Sequence, residues 1–299
     1  MSDAWNPEQY ARFRDERSQP FWDLVALVQV GSSVLPLQRV IDLGCGDGIL
    51  TRELYTYLAQ RQGNADLPAA VDLLGIDNSL KMIEACREHT SGLAVSTTAS
   101  PDLRRMPPGV PSPRFALGDI TRFAEKALLG ELPPYDLVFS NAALQWIPDH
   151  ARLLIGLTEA VAKGGQLAVQ LPSNQHHPSQ RIARELAAQE PFATALEGYG
   201  AGSPTTVLAP EDYAGLLHRY GFKEQQVRLQ VYGHVLPDAG DVVEWVRGTM
   251  LTAYQQRLSP AMWEQFLANY RARIARELGS GREYLLTYNR ILFWGKKQD

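Results

Sequence analysis

The chain has 299 residues, enough for one enlarged α/β domain or for a domain with a smaller appendage. Lys and Arg number 29 against 33 for Asp and Glu, so the net charge of −4 gives no electrostatic reason to expect a nucleic acid or a membrane surface as a partner. The 2 cysteines, Cys45 and Cys86, lack metal-ligand spacing, and no apolar targeting segment opens the sequence, so we predict a cytoplasmic protein without a metal site.

The first half of the chain alternates between apolar strand-like runs and helical periodicity. A helical segment over residues 7–30 is predicted to precede the sheet, interrupted at Pro20. Such alternation favours an α/β fold with a Rossmann-like, doubly wound parallel sheet and right-handed crossovers. The predicted strands are 39–43, 72–76, 114–117, 135–140 and 166–171, and the predicted helices between them are 49–60, 79–89, 121–129 and 149–162.

Residues 42–48, Asp-Leu-Gly-Cys-Gly-Asp-Gly, form a glycine-rich turn directly after the first predicted strand. Such a turn lets a ligand lie against bare main chain, and the helix that follows points its N-terminus at the ligand. Gly44 and Gly46 fit the dinucleotide fingerprint, but its third glycine position is Ile49 here, and no Gly-Lys-Ser/Thr of a phosphate loop follows. The turn therefore predicts a small nucleoside-containing ligand that is not a dinucleotide.

Polar residues follow three of the other predicted strands: Asp77, Asp119 and Asn141. The carboxyl ends of parallel strands are where open α/β sheets bind ligands, and a carboxylate there can accept hydrogen bonds from both hydroxyls of a ribose. Each acid alone is explained equally well as a turn or a helix cap. Their joint occurrence favours a nucleoside pocket.

The alternation of strands and helices stops after Leu171. We predict helices near 178–190 and 211–220, a helical interval over 238–279, and strands over 223–236 and 284–294. The predicted organisation is an N-terminal helical cap (1–38), a cofactor-binding core (39–171), and helical lid insertions with a final helix and antiparallel strands that complete the sheet (172–299). The loops 61–70 and 90–113 are predicted to be surface insertions, and we assign them no chemistry.

In these motifs, over residues 39–171, the chain resembles the class I S-adenosylmethionine-dependent methyltransferases. The resemblance implies S-adenosyl-L-methionine as cofactor, with the methionine part on the glycine turn, the ribose on Asp77, the adenine on Asp119 and Ile120, and the donor sulfur near Asn141. The cofactor-binding residues implied are Asp42, Gly44, Cys45, Gly46, Asp77, Asn78, Asp119, Ile120 and Asn141.

Several segments further resemble trans-aconitate methyltransferases: Trp-Asn-Pro-Glu-Gln-Tyr at 5–10, Leu-Gln-Trp-Ile-Pro-Asp-His at 144–150, Leu-Ala-Val-Gln-Leu-Pro at 167–172, Val-Glu-Trp-Val at 243–246 and Leu-Leu-Thr-Tyr-Asn-Arg at 285–290. This resemblance implies methyl esterification of a carboxylate of a small polycarboxylic acid. Such a substrate calls for cations in fork-like geometries. We predict His150, Arg290, Gln145 and Arg17 as catalytic or acceptor-site residues, with Arg181, Arg247, His176, Tyr10 and Tyr288 as further candidates.

Two alternatives remain at this point. The same chemistry on a malonyl-acyl carrier protein would call for a basic docking surface, and the one dense basic stretch lies at 271–276. A non-catalytic module that only binds the cofactor would be expected to have lost motif residues, yet all are present. Residues 141–150 lack the Asn/Asp-Pro-Pro-Tyr/Phe pattern of enzymes that methylate nucleobases or glutamine, so no nucleic-acid partner is predicted.

Overall fold

The computed structural model describes residues 14–31, 36–63, 71–89, 95–96, 113–200 and 206–298. The predictions for residues 5–10, and those for most of the loops 61–70 and 90–113, lie outside these ranges. The side chain of Arg17 lies outside the described part as well, so its predicted role stays a prediction.

An eight-stranded sheet forms the centre of the fold, with the strand order β3-β4-β2-β1-β5-β6-β8-β7. The six neighbouring strands β3, β4, β2, β1, β5 and β6 are all parallel, which confirms the predicted α/β, doubly wound fold class. The bounds of the strands are β1 Arg39–Leu43, β2 Asp72–Asp77, β3 Val95–Ser96, β4 Arg114–Leu117, β5 Tyr135–Asn141, β6 Val161–Pro172, β7 Phe222–Leu236 and β8 Tyr284–Lys297.

The helices connect these strands. In chain order they are α1 Arg14–Val25, α2 Ile49–Gln62, α3 Leu80–His89, α4 Ile120–Leu128, α5 His150–Glu159, α6 Pro178–Ala187, α7 Phe192–Ala195, α8 Pro210–Arg219, α9 Asp241–Arg247, α10 Thr252–Gln255 and α11 Pro260–Leu278.

Strand β8 runs against β6. The Lys297 ammonium, at the end of β8, donates to the carbonyl of Val161 at the start of β6, and Ser173 just after β6 donates to the Asn289 carbonyl. Strands β6 and β8 are therefore antiparallel neighbours, the arrangement expected of the strands that complete the sheet.

Two details of the secondary structure differ from the sequence prediction. The short strand β3 lies within the predicted loop 90–113. Strand β6 begins at Val161 rather than near 166, because an irregularity in its pairing with β5, between Tyr135 and Leu137, takes up the extra residues. Gly164 and Gly165 lie in that irregular part of β6.

The chain divides into two compact units. The first, here called the sheet unit, comprises Arg17–Leu171, Thr206–Leu229 and Ile291–Asp299. The second, here called the helical unit, comprises Met1–Glu16, Pro172–Thr205 and Gln230–Arg290. The predicted organisation in three parts stays a prediction, but α1 packs in the core of the sheet unit. Its Phe21 is fully buried in one cluster with Val40 and Leu137.

The helical unit has a core of its own, built on aromatic side chains. Trp263, Phe266 and Tyr270 on α11 are buried in one cluster with residues of α6 and α9. The predicted interval 238–279 is divided into three helices, since α9 stops at Gly248 and Ser259 caps α11 by accepting from the Met262 amide at 3.4 Å.

Candidate active site

The predicted cofactor residues of the sheet unit lie at one edge of the sheet. Strands β4, β2, β1 and β5 are adjacent and parallel, so their carboxyl ends lie side by side. The glycine turn follows β1, Asp77 ends β2, Asp119 follows β4, and Asn141 ends β5. The strand order reverses at β1 and β5, the point where doubly wound sheets form a ligand crevice.

Close packing around the turn requires glycine at two positions. Gly44 has φ of 82° and a Cβ there would lie 2.2 Å from the Cβ of Ala143, so this glycine lets the turn approach the segment after β5. Gly48 has φ of 79° and a Cβ there would lie 2.8 Å from the Phe115 ring. At Gly46, by contrast, a Cβ would meet no heavy atom of the described residues within 4 Å, so the main chain is open to a ligand on that side.

Asp77 ties the glycine turn to the start of α3. One carboxylate oxygen accepts from the amide of Gly46 at 3.0 Å and the other from the amide of Ser79 at 2.9 Å. The neighbouring Asn78 is exposed. Asp77 is therefore fixed at the edge of the pocket, and each of its oxygens keeps acceptor capacity.

Asp42 is buried beneath the turn. One of its oxygens accepts from the Thr51 hydroxyl at 2.6 Å, and Oδ1 has no hydrogen-bond partner among the residues that the structure describes. The pKa of Asp42 is raised to about 7, mainly by burial; the hydrogen bond from Thr51 lowers it and the charge of Asp77 raises it. Thr51, which the sequence analysis did not select, thus orients the acid of the motif.

Cys45 takes part through its main chain. Its amide donates to the carbonyl of Ile76 at 2.9 Å. Its side chain is buried against Gly75, where a side chain would not fit: a Cβ on Gly75 would lie only 2.9 Å from the Cβ of Cys45. Burial raises the pKa of the Cys45 thiol well above its usual range. The thiol is accordingly a neutral packing group.

Asp119 caps the helix α4, where its carboxylate accepts from the Arg122 amide at 2.9 Å. Ile120 is partly buried, and its Cδ1 would lie 3.7 Å from a Cβ on Gly44. The two residues therefore form a wall beside the glycine turn.

Three amide side chains near the carboxyl ends of β5 and β6 have buried oxygens without hydrogen-bond partners in the described part of the chain. They are Asn141 Oδ1, Gln145 Oε1 and Gln170 Oε1. Asn141 and Gln170 are paired in register across β5 and β6, and the amide nitrogen of Gln145 donates to the Ala142 carbonyl at 2.7 Å. The sequence analysis missed Gln170, although a lone polar residue in an apolar strand was a usable signal.

His150 does not have the predicted catalytic geometry. Its exposure is 2%, its Nε2 donates to the Leu144 carbonyl at 2.8 Å, and its Nδ1 is bonded to the Tyr213 hydroxyl, which itself accepts from the Leu208 amide. Burial lowers the pKa of His150. Because both ring nitrogens are hydrogen-bonded in the interior, this geometry favours a structural role for His150, and its catalytic role stays a prediction.

The predicted acceptor arginines of the helical unit fall into two kinds. Arg181 is bound to Glu185 and Glu277, and Arg247 to Glu244, in ion pairs exposed to solvent. Arg290 on β8 is half-buried, and its guanidinium carbon lies 5.5 Å from the centre of the Tyr288 ring, within the range of a cation–π contact. Tyr288 is itself buried and stacks on Tyr232 with 5.4 Å between ring centres.

His, Cys, Asp and Glu side chains form no cluster suited to a metal ion within the residues that the structure describes. In the same ranges, no helix is long and apolar enough to cross a membrane.

Comparisons with known proteins place this site in a family. A family model described as a methyltransferase domain matches residues 8–227. The chain is 36% identical over 294 residues to the trans-aconitate 2-methyltransferase of Deinococcus radiodurans, covering 97% of both chains. It is 34% identical to that of Variovorax paradoxus, covering 98% of both, and 35% identical to that of Methylobacterium nodulans, covering 91% of this chain and 89% of the relative.

Solved structures agree on the fold. The YcgJ protein from Bacillus subtilis superposes with a TM-score of 0.52 at 12% identity, over 94% of this chain and 99% of that one. The fold and the family model define a methyltransferase of the class I type. More narrowly, the chain belongs to the family of the trans-aconitate 2-methyltransferases.

Proposed function

We propose that the chain transfers a methyl group from S-adenosylmethionine to a carboxylate of trans-aconitate. The observation that carries the proposal is the grouping of the glycine turn, Asp77, Asp119 and Asn141 at one sheet edge, in a chain that matches trans-aconitate 2-methyltransferases over nearly its whole length. A cytoplasmic location stays a prediction.

The residues at this edge fit the cofactor. The open side of Gly46 leaves room against the main chain, and the unpartnered oxygens of Asp42 and Asn141 call for hydrogen-bond donors such as an ammonium group. In this proposal Asp77 accepts from the ribose hydroxyls, Asp119 and Ile120 hold the adenine, and Asp42 and Asn141 face the methionine part. The main chain of Cys45 shapes the turn, and the exposed Asn78 borders the ribose.

The proposed methyl transfer to a carboxylate requires little or no proton transfer by the protein. The cofactor supplies a methyl group on a sulfonium, and a carboxylate with a reference pKa of about 4 is already an ionised nucleophile at neutral pH. The residues of the chain therefore need only position the acceptor and exclude water. The buried, hydrogen-bonded His150 is consistent with a reaction that needs no general base.

For the acceptor we propose Arg290, Gln145 and Arg17. Arg290 is favoured over Arg181 and Arg247, because it is half-buried on β8 whereas those two lie in ion pairs exposed to solvent. The guanidinium of Arg290 lies at a cation–π distance from the Tyr288 ring, and a guanidinium has the planar geometry that suits a carboxylate.

A panel of acids tests the proposal. Purified chain with S-adenosylmethionine is incubated with trans-aconitate, cis-aconitate, citrate, malonate and a malonyl-acyl carrier protein, and products are separated by mass. We expect the monomethyl ester of trans-aconitate as the fastest product. Methylation of the carrier protein alone would show that it, and not trans-aconitate, is the acceptor. No methylation of any acid would overturn the proposal.

A further inference from the structure

The backbone adopts a left-handed conformation directly after β5, at Ala142. Its φ is 55°, and among the residues other than glycine that the structure describes only Asp149 and Glu197 share a positive φ. Residues with a Cβ rarely adopt this region, and aspartate tolerates it better than alanine does. Asp149 also caps α5, where its side chain accepts from the Arg152 amide at 3.1 Å. Ala142 has no side-chain group that could stabilise its own turn, so its conformation depends on its neighbours.

Hydrogen bonds from two other segments hold the turn at Ala142. Its amide donates to the Gln170 carbonyl on β6 at 2.8 Å, and its carbonyl accepts from the side-chain nitrogen of Gln145 at 2.7 Å. The Thr206 hydroxyl donates to the Gln145 carbonyl at 2.8 Å, which fixes Gln145 in turn. All four residues belong to the sheet unit. Of these bonds, the one from Gln145 is the bond to Ala142 that a side-chain substitution can remove.

The turn brings Ala143 against the glycine turn. A Cβ on Gly44 would lie 2.2 Å from the Cβ of Ala143 and 3.6 Å from its Cα, so the two segments approach each other more closely than two side chains would allow. The residues 142–149, here called the β5 loop, therefore make direct contact with the turn to which we assign the methionine part of the cofactor.

The glycine turn is also held by bonds that do not involve the β5 loop. The amide of Gly44 donates to the Ile76 carbonyl on β2 at 2.8 Å, and Asp77 accepts from the Gly46 amide at 3.0 Å. Loss of the conformation at Ala142 would therefore displace the β5 loop more than the glycine turn. Because a misplacement of about 1 Å between donor and acceptor slows a transfer reaction strongly, such a displacement should affect the rate more than the binding of the cofactor.

We propose that Ala142 and Gln145 are positioning residues for methyl transfer: the Gln145 side chain holds Ala142 in its left-handed turn, and the turn holds the β5 loop against Gly44. This inference rests on the proposed function, in which Gln145 belongs to the acceptor site, and it assigns how Gln145 acts there. Gln145 acts through the backbone of Ala142 and not by contact with the acid. Its Oε1 is buried, and an amide oxygen is in any case no partner for a carboxylate.

The test is a double-mutant cycle between Gln145→Leu and Ala142→Gly, with kcat and both KM values measured for trans-aconitate and S-adenosylmethionine. Leucine has nearly the shape of glutamine, and it removes the bonded nitrogen together with an oxygen that has no partner in the described part of the chain, so we expect the variant to fold. Gln145→Leu should lower kcat about tenfold, the scale of one lost hydrogen bond. The Kd of S-adenosylhomocysteine should stay near the wild-type value.

Glycine at position 142 should rescue the loss. Glycine adopts a positive φ without support, so in the Ala142→Gly background the change Gln145→Leu should lower kcat less than about threefold. A glutamine that contacted the acid directly would be equally costly to lose in both backgrounds, so the cycle separates positioning from contact.

Glu197→Val is the matched control for strain. Ala142→Val and Glu197→Val each place a β-branched residue in the left-handed region, so thermal unfolding should show both to be less stable than the wild type. Only Ala142→Val should lower kcat, because Glu197 is an exposed residue of the helical unit that we place in neither site. If Ala142→Val fails to fold, the cycle with Ala142→Gly decides alone.

The outcomes that overturn the inference differ from those that overturn the proposed function. Equal effects of Gln145→Leu in both backgrounds, an unchanged kcat, or a raised KM for trans-aconitate with kcat unchanged would each overturn the inference while the wild type remains active. A wild type that methylates no acid would overturn the proposed function, and this inference with it.

Discussion

Asp77 shows how one side chain serves both the fold and the proposed pocket. Its carboxylate joins the amide of Gly46 to that of Ser79, so the glycine turn and the start of α3 are fixed by the acid that we assign to the ribose. A ligand would meet a carboxylate already held in place, which lowers the entropy lost on binding.

Asp77→Ala should weaken the binding of S-adenosylmethionine by about 1–3 kcal/mol, since charged hydrogen bonds to the ribose are lost. Isothermal titration measures this. Asp77→Asn is the matched control, because its amide oxygen still accepts from a backbone amide, so its affinity should lie between those of the wild type and Asp77→Ala. If folded Asp77→Ala binds the cofactor as tightly as the wild type does, Asp77 does not bind the ribose.

Arg290→Met should raise the KM for trans-aconitate about tenfold to a hundredfold while the KM for S-adenosylmethionine changes little, because we propose that this cation contacts the acceptor and not the cofactor. Arg247→Met is the control: Arg247 is paired with Glu244 in an exposed ion pair, and its loss should leave both constants near those of the wild type. Equal increases in both KM values for Arg290→Met would remove it from the acceptor site.

At the scale of elements, the segment after β5 is held by a polar network in the core. His150 at the start of α5 donates to the carbonyl of Leu144, and Tyr213 on α8 links His150 to the amide of Leu208. Leu144 begins the short turn that carries Gln145. The network therefore positions an acceptor-site candidate without itself touching a ligand.

The pH dependence of stability tests this role for His150. Its folded-state pKa is lowered by burial, so the neutral form is favoured and its contribution to stability is full above the unfolded value of about 6.5. That contribution is lost as the pH falls through the lower folded pKa. Chemical denaturation at pH 8 and pH 5 should show a smaller loss of unfolding free energy for His150→Phe than for the wild type.

His150→Phe should also be destabilised at pH 8 by about 2–4 kcal/mol, because the Tyr213 hydroxyl and the Leu144 carbonyl lose a buried partner. His218→Gln is the control, since His218 is exposed on α8 and should leave the pH dependence as it is in the wild type. A wild-type pH profile in His150→Phe would show that the network does not titrate as assigned.

At the scale of the whole molecule, the sequence predicted the parallel strands and the edge that they form, because apolar runs and strand-end acids are local signals. It did not predict that α1 packs in the core of the sheet unit, since the packing of Phe21 with Val40 and Leu137 joins residues far apart in the chain. The hydrogen bonds of His150 were not predicted for the same reason: its partner Tyr213 is 63 residues away, and no local pattern reveals it. The positions of Thr51 beside Asp42 and of Gln170 beside Asn141 likewise depend on the fold and could not be predicted from the local sequence.

The central claim is that this chain methylates trans-aconitate, and the most direct measurement is transfer of an isotopically labelled methyl group. Wild-type chain is incubated with methyl-labelled S-adenosylmethionine and trans-aconitate, and the acid is recovered for mass spectrometry. We expect labelled monomethyl ester to appear with the wild type and to fall strongly with Arg290→Met. Full retention of label in the cofactor, from a chain that binds both ligands, would contradict the claim.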